Sequence, residues 1–146
     1  MSSYISEDLR RLVATRAEYL CEYCLVHEDD TLFGCEMDHI ISVKHGGPGE
    51  ADNLAYACVF CNRQKGSDIG SILQRTGEFI RFFSPRIDRW ADHFQLDGAV
   101  IQPLTGIGEV TARILGWNNS DRILERRSLI AVGRYPTAAA QARMAE

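Results

Sequence analysis

Two pairs of closely spaced cysteines constrain this chain more than any other feature of its sequence. Cys21 and Cys24 form one Cys-x-x-Cys pair, Cys58 and Cys61 form the other, and 33 residues separate the pairs. Four thiolates hold zinc in a closed tetrahedron that leaves no open position for chemistry. The spacing therefore predicts a structural Zn²⁺ site, with buried free thiols or disulfides as the alternatives. Cys35 has no close partner, and we interpret it as a core thiol.

Length and composition limit the classes of protein that the chain can form. Its 146 residues suffice for one compact domain with a lesser appendage. No apolar run approaches the roughly 18 residues that a membrane span requires. The first residues lack the basic segment and apolar core of a secretory signal. We therefore expect a cytoplasmic protein without a membrane partner.

The charge balance does not favour nucleic acid as a partner, and does not exclude it. The formal net charge is −4, and the acidic excess lies in the first 60 residues. Net charge governs long-range steering, whereas contact with phosphates needs only a local basic surface.

Hydrophobic patterns in the first half predict short elements around the cysteines. An amphipathic helix is expected over residues 6–20, and a hairpin is expected from strands at 31–33 and 40–43. The second cysteine pair begins a short helix that Gly66 stops. We place a boundary near residue 67.

The second half has a different character. A strand is expected over residues 78–83, and Asp97-Gly98 is a strong signal for a hairpin turn. Helices are expected over 109–116 and 120–132, followed by a polar, alanine-rich tail. We divide the chain into residues 1–67 and an α+β extension over 68–146.

Three short motifs between and after the cysteine pairs carry residues suited to phosphodiester hydrolysis. They are Asp38-His39-Ile40, Asp52-Asn53-Leu54 and Asn62. Taken alone, each has an ordinary structural explanation. Together they supply an imidazole that can activate water near neutral pH and oxygen ligands of the kind that Mg²⁺ prefers.

In order along the chain, Cys-x-x-Cys, Asp-His-Ile, Gly-Gly, Asp-Asn-Leu, Cys-x-x-Cys-Asn and a following Lys resemble the HNH endonuclease family. The resemblance covers roughly residues 18–68 and is specific as a set. It implies an α+β fold with a ββα-metal core held by the four-cysteine zinc site. An N-terminal helix and a C-terminal β-hairpin with helices would extend that core.

The resemblance also implies roles for individual residues. His39 would be the general base, while Asp38 and Asn62 would hold a catalytic Mg²⁺ or Mn²⁺. Asn53 would orient the loop and backbone around His39. Asn62 stands where the family name has its second histidine, and its amide oxygen suits Mg²⁺ better than an imidazole does. Cleavage would leave a 5′-phosphate and a 3′-hydroxyl.

Candidate substrate contacts lie close to these residues. Arg63 and Lys65 are predicted to meet phosphates near the cut, and both are also explained as solvated helix residues. Glu36 is a candidate to support the metal, with an exposed carboxylate about as good an explanation. For His45 we favour a simple exposed loop position over contact with substrate.

The C-terminal half carries arginines interleaved with aromatic residues. This pattern is typical of surfaces that track a nucleic-acid backbone, but we expect most of the aromatic residues to form core. A helix carrying Arg122, Glu125, Arg126 and Arg127 is interpreted as a solvated face.

The function predicted is metal-dependent cleavage of DNA, because the family mostly cuts DNA. Two alternatives remain: a zinc-containing module that binds nucleic acid or protein without cutting it, and a nuclease directed at RNA. One ββα site handles one strand at a time, so cutting both strands would need a homodimer or two encounters.

Overall fold

The computed structural model describes residues 4–146 and shows a mixed α+β fold, as predicted. The helices of this part of the chain are α1 (Glu7–Arg16), α2 (Val59–Lys65), α3 (Trp90–His93), α4 (Gly106–Ile114), α5 (Ser120–Ala131) and α6 (Ala138–Ala145). The strands pair as three antiparallel hairpins, which are β1 (Cys35–His39) with β2 (Leu54–Cys58), β3 (Gly70–Ile72) with β4 (Phe79–Arg81), and β5 (Phe94–Asp97) with β6 (Val100–Pro103). Among the helices described, none is both long and apolar enough to cross a bilayer.

Helix α1 begins where the sequence predicts and ends earlier than expected. The Ser6 hydroxyl accepts a hydrogen bond from the Leu9 amide at 3.1 Å, which caps the first turn. The helix stops at Arg16 because the chain then enters the left-handed region, with φ of 55° at Glu18 and 60° at Tyr19. This reversal turns the chain into the first cysteine pair.

The central element is the hairpin of β1 and β2, which differs from the hairpin predicted. Cys35 lies opposite Cys58 at one end of the hairpin, and His39 lies opposite Leu54 at the other. The runs at 31–33 and 40–43, predicted as strands, instead form the turn and loop that flank β1. That prediction was wrong because β1 pairs with β2, which lies beyond the long 40–53 segment. Every residue of β2 is buried, so this pairing removes more apolar surface from water than a local hairpin would.

Helix α2 follows β2 directly and confirms the predicted short helix. Cys58 is its N-cap residue, and Gly66 ends it with a φ of 54° that suits glycine. The order β1, β2, α2 therefore gives the predicted ββα unit.

The C-terminal half packs on this unit through a shared core. The Trp90 indole donates to Tyr23 O at 2.8 Å, and the Tyr135 hydroxyl donates to Cys24 O at 3.0 Å. The hairpin predicted around Asp97-Gly98 is present as β5 and β6. The alanine-rich tail was not predicted to be regular and forms α6, because Thr137 caps it and alanine favours helix.

Candidate active site and metal centre

The four paired cysteines converge on one buried point. Their sulfur atoms lie within 4.8 Å of one another, and the Sγ atoms of Cys24 and Cys58 are 3.9 Å apart, far longer than a disulfide of about 2.05 Å. Within residues 4–146, no other group of three His, Cys, Asp or Glu side chains comes close enough to hold a metal. The site therefore has the donor set and burial that structural zinc requires.

Each cysteine turn is closed by a hydrogen bond from its own backbone. The Cys24 amide donates to Cys21 Sγ at 3.5 Å, and the Cys61 amide donates to Cys58 Sγ at 3.4 Å. Burial raises the pKa of the Cys21 and Cys61 thiols well above their ordinary value. Four thiolates can share this buried space only if a cation balances their charge. Zn²⁺ fits that requirement.

The remaining cysteine, Cys35, is half-buried and packs against both hydrophobic clusters of the molecule. Burial raises the pKa of its thiol far above the ordinary value. These observations agree with its interpretation as a core thiol.

His39 is the last residue of β1 and lies at the end of the hairpin away from the cysteines. Its side chain is partly exposed. Of its two ring nitrogens, only Nε2 is both buried and without a hydrogen-bond partner in the described part of the chain. The backbone around it is fixed, because its carbonyl accepts a hydrogen bond from Lys65 Nζ at 3.0 Å and the next amide, of Ile40, donates to Asn53 O at 2.9 Å.

Asp38 is buried and fully engaged by protein groups. Its Oδ1 pairs with Lys65 Nζ at 3.1 Å, and its Oδ2 accepts a hydrogen bond from the Tyr23 hydroxyl at 2.6 Å. Burial raises the pKa of the Asp38 carboxyl, although Lys65 and Tyr23 act in the opposite direction. Both oxygens predicted to hold a cation thus already have partners.

Lys65 is not where the sequence led us to expect it. Its side chain is 1% exposed, and its ammonium lies between Asp38 Oδ1 and His39 O. The prediction of a phosphate contact at Lys65 is therefore corrected. A lysine on the inner side of a short helix is drawn to the buried carboxylate, because an unpaired charge there would be costly.

Asn62 lies one helical turn before Lys65 and pairs with the other carboxylate of β1. Its Nδ2 donates to Glu36 Oε1 at 3.0 Å, which leaves the amide oxygen without a partner among residues 4–146. Glu36 and Asp38 alternate with Met37 along the strand, so both acidic side chains face α2. This places the carboxylates and the amide of Asn62 along the same strand–helix contact.

Asn53 holds the loop that follows His39. Its amide nitrogen donates to Ile41 O and Pro48 O, both at 2.9 Å, and its amide oxygen accepts a bond from the Ile41 amide at 2.9 Å. The loop is packed so closely here that a Cβ at Gly47 would lie 1.6 Å from Ile41 O. Asn53 therefore acts on the backbone around His39 and does not face solvent.

Two exposed cations lie close to these residues along the chain. Arg63 follows Asn62 on α2, and Lys44 lies in the short turn after β1. Neither side chain forms an ion pair with a described residue, so both are free to meet an anion. Neither Lys44 nor Tyr23 is among the residues predicted from the sequence. The available signal for Tyr23 was its place between Cys21 and Cys24, because the metal centre brings that turn against β1.

The C-terminal arginines have a different role from the one their spacing suggested. The four arginines that lie among the aromatic residues are each paired with an acidic residue, in the pairs Arg75–Glu109, Arg81–Asp88, Arg86–Glu22 and Arg89–Asp92. Phe82, Phe83 and Trp90 are buried, as expected of core. These arginines therefore connect parts of the protein and do not form a free basic track.

Two arginines of α5, Arg122 and Arg126, are also buried, which corrects the prediction that they lie on a solvated face. Arg126 donates to Ala99 O and to Trp117 O, both at 2.7 Å. Arg127, in contrast, is exposed as predicted.

Comparison with known proteins identifies the segment that carries this site. A sequence model of the HNH endonuclease family matches residues 21–68. The matched segment begins at the first cysteine of the metal centre and contains His39, Asn53 and Asn62. The match confirms the predicted resemblance of this segment to the HNH endonuclease family. No curated protein and no solved structure matches the chain.

Proposed function

Because residues 21–68 carry an HNH endonuclease domain, we propose that this protein is a metal-dependent endonuclease that hydrolyses phosphodiester bonds in DNA. One observation carries the proposal. Lys65 Nζ lies 3.1 Å from Asp38 Oδ1 and 3.0 Å from His39 O, so it fastens the helix that bears Asn62 to the strand that bears His39. The groups that the reaction needs therefore belong to one rigid β1–β2–α2 unit.

His39 acts as the general base in this proposal. Because Nε2 is enclosed by the protein, Nδ1 is the nitrogen that receives a proton from the attacking water. The partly exposed ring lets water reach it. The hydrogen bond from Lys65 to the His39 carbonyl and that from Ile40 to Asn53 O keep the imidazole in place.

Asn62 and Asp38 would hold the catalytic cation. Glu36 accepts a hydrogen bond from Asn62 Nδ2, which leaves Asn62 Oδ1 as the oxygen that would bind Mg²⁺ or Mn²⁺. When bound, the cation would balance charge on the phosphoryl oxygens and support the departing oxygen. Asp38 would hold the cation through the carboxylate lone pairs that Lys65 and Tyr23 leave free.

The other residues position the backbone or meet the substrate. Asn53 holds the loop after His39 through three hydrogen bonds. Arg63 and Lys44 are the exposed cations assigned to contact phosphates of the substrate. Their contacts are to the backbone, so they add affinity without sequence preference. The reduced state of the buried cysteines suits the cytoplasm, where we place the protein.

The test is relaxation of supercoiled plasmid with Mg²⁺ or Mn²⁺ by zinc-loaded wild type and by His39→Ala. The matched control is His45→Ala, an exposed histidine in the following loop. Wild type and His45→Ala should cut, whereas His39→Ala should lose about 10²- to 10⁴-fold in rate, which is the usual contribution of a general base. Zinc content and thermal unfolding are measured on all three proteins.

Substrate class is tested with DNA and RNA strands of the same sequence. Cleavage of DNA with little cleavage of RNA supports the proposal, and the reverse would replace DNA by RNA as the substrate. If the folded, zinc-loaded wild type cuts neither, the nuclease proposal fails and the protein is a binding module.

A further inference from the structure

An arginine from the far end of the chain reaches the cysteine centre. Arg122 lies on α5, outside the segment that matches the HNH family. Its Nη2 is 3.4 Å from Cys24 Sγ and 3.9 Å from Cys58 Sγ, so one nitrogen faces a sulfur of each cysteine pair. The contact joins the C-terminal half directly to the metal centre.

The surroundings of Arg122 leave its charge few other partners. Its side chain is 5% exposed, and its Cζ lies 5.1 Å from the ring centroid of Phe60, which belongs to the second cysteine turn. Its Nε and Nη1 have no hydrogen-bond partner among the described residues, although Glu125 Oε2 is 3.5 Å from Nε. A buried guanidinium placed this way requires negative charge nearby.

The cysteine centre supplies that charge. Four thiolates around Zn²⁺ sum to a formal charge of −2, and the site is closed to water. The backbone amides of the two turns donate to the sulfurs of Cys21 and Cys58. Within the described part of the chain, Cys24 Sγ receives no such amide bond, and Arg122 is its nitrogen donor.

We propose that Arg122 is a positioning residue of the zinc site, which neutralises part of the thiolate charge and thereby couples the docking of α5 to zinc binding. Zinc without Arg122 leaves excess negative charge in a buried space, and Arg122 without the zinc-bound thiolates is a buried cation with too few partners. Each therefore stabilises the other by linkage. The inference rests on the structural zinc and is independent of nuclease activity.

The main test compares rates of zinc release to an excess of a chromogenic chelator. The variants are Arg122→Gln, Arg122→Lys and, as control, Arg127→Gln, which removes an exposed arginine from the same helix. Removal of a partner that hydrogen-bonds to a metal ligand usually costs about 10- to 100-fold in metal affinity. We expect faster release in that range for Arg122→Gln, a smaller change for Arg122→Lys, and the wild-type rate for Arg127→Gln.

The lysine variant separates a charge effect from simple packing. Arg122→Lys keeps the positive charge but cannot reproduce the flat contact with Phe60. If Arg122 served only to fill space, Arg122→Lys and Arg122→Gln would release zinc equally fast. That result, or release from Arg122→Gln at the wild-type rate, would overturn the proposal.

A second measurement uses the unaltered protein and remains valid if Arg122→Gln does not fold. Amide hydrogen exchange is followed with and without chelator. We expect the amides of α5 to lose protection at the same rate as zinc leaves. Protection of α5 that persists after all zinc has been removed would show that its docking does not depend on the metal, and the proposal would fail.

Discussion

One end of the β1–β2 hairpin carries the cysteine cluster and the other carries the proposed catalytic site, and the two differ in how complete they are. At the Cys58 end, four identical donors converge within 4.8 Å and all are buried. At the His39 end, the imidazole is partly exposed, and Asp38 is occupied by Lys65 and Tyr23. The same five-residue ladder connects the two ends.

This difference in burial and in occupied donors matches the different demands on a structural metal site and on a catalytic site. A structural metal site is stable because its donors are fixed and closed to water. A catalytic site must admit water, substrate and a hard cation, so it keeps exposed atoms and exchangeable partners. In this protein the closed end also anchors the open one, because the second cysteine turn continues into the helix that bears Asn62 and Lys65.

The largest effect is expected from breaking the closed end. Cys58→Ser removes one of four zinc ligands and should abolish both zinc binding and cooperative thermal unfolding. The reason is that binding of structural zinc contributes about 10–16 kcal/mol in small zinc domains. Zinc content and calorimetry measure both effects.

Cys35→Ser is the matched control, because Cys35 lies directly opposite Cys58 in the hairpin but is not one of the four clustered cysteines. It should keep its zinc and its unfolding transition. Full zinc retention by Cys58→Ser would contradict the assignment of the ligands.

The next effect tests the buried pair at the open end. Lys65→Met leaves the Asp38 carboxylate buried without its ammonium, and we expect a loss of about 3–5 kcal/mol in the free energy of unfolding. The double variant with Asp38→Asn has no buried charge at this pair and should recover much of that loss. Chemical denaturation of the single variants and the double variant gives the coupling energy. A single Lys65→Met variant as stable as wild type would show that the pair contributes little.

Asn53→Ala should have a smaller effect on stability and a larger one on cleavage. The variant loses three hydrogen bonds of 2.9 Å made by a buried side chain, for a cost of about 1–3 kcal/mol in unfolding. Because the loop supports His39, misplacement of about 1 Å would reduce cleavage by about 10²-fold. Plasmid relaxation and denaturation measure the two effects, and zinc content should not change. Equal losses of activity and folded protein would mean that Asn53 acts on stability alone.

The sequence revealed the four cysteines of the metal centre and the residues of the proposed catalytic site, but not the surroundings of either. Cysteine spacing predicted the metal cluster, and the order of motifs predicted the unit of β1, β2 and α2. These signals are local: a Cys-x-x-Cys turn or a capped helix depends on a few neighbouring residues. Arg122 could not be placed this way, because it meets Cys24 across 98 positions of the chain.

The errors at the open end have the same physical origin. The sequence predicts a surface position for Lys65, because lysine is rarely buried. Whether it is buried depends on a carboxylate 27 positions earlier, which the sequence does not show to be adjacent. The hairpin partners were misassigned because short apolar runs do not reveal which strand they meet. Periodicity identifies a face, whereas tertiary contacts decide what covers it.

The smallest effect is expected at Asp88, whose carboxylate pairs with a cation as that of Asp38 does. Asp88 accepts two hydrogen bonds from Arg81, at 2.7 and 2.9 Å, and one from the Ser84 amide at 2.8 Å. Burial would raise the pKa of the Asp88 carboxyl, but these bonds outweigh burial and lower it. For Asp38, burial prevails and the pKa is raised. The two carboxylates should therefore affect stability with opposite dependence on pH.

For Asp88, the folded state holds the carboxylate more strongly than the unfolded chain does. The contribution of the Asp88 carboxylate to the free energy of unfolding is therefore complete above its pKa in the unfolded chain, about 3.9. It is lost as the pH falls through the lower pKa of the folded state. Asp88→Asn should thus cost about 0.5–1 kcal/mol at pH 7, after allowance for solvent at the half-exposed Arg81. Denaturation of both proteins from pH 7 to pH 2 measures the difference between them, which should shrink towards acid. A difference that grows towards acid would mean that burial governs Asp88 as it governs Asp38, and that the half-exposed pair has no advantage over the enclosed one.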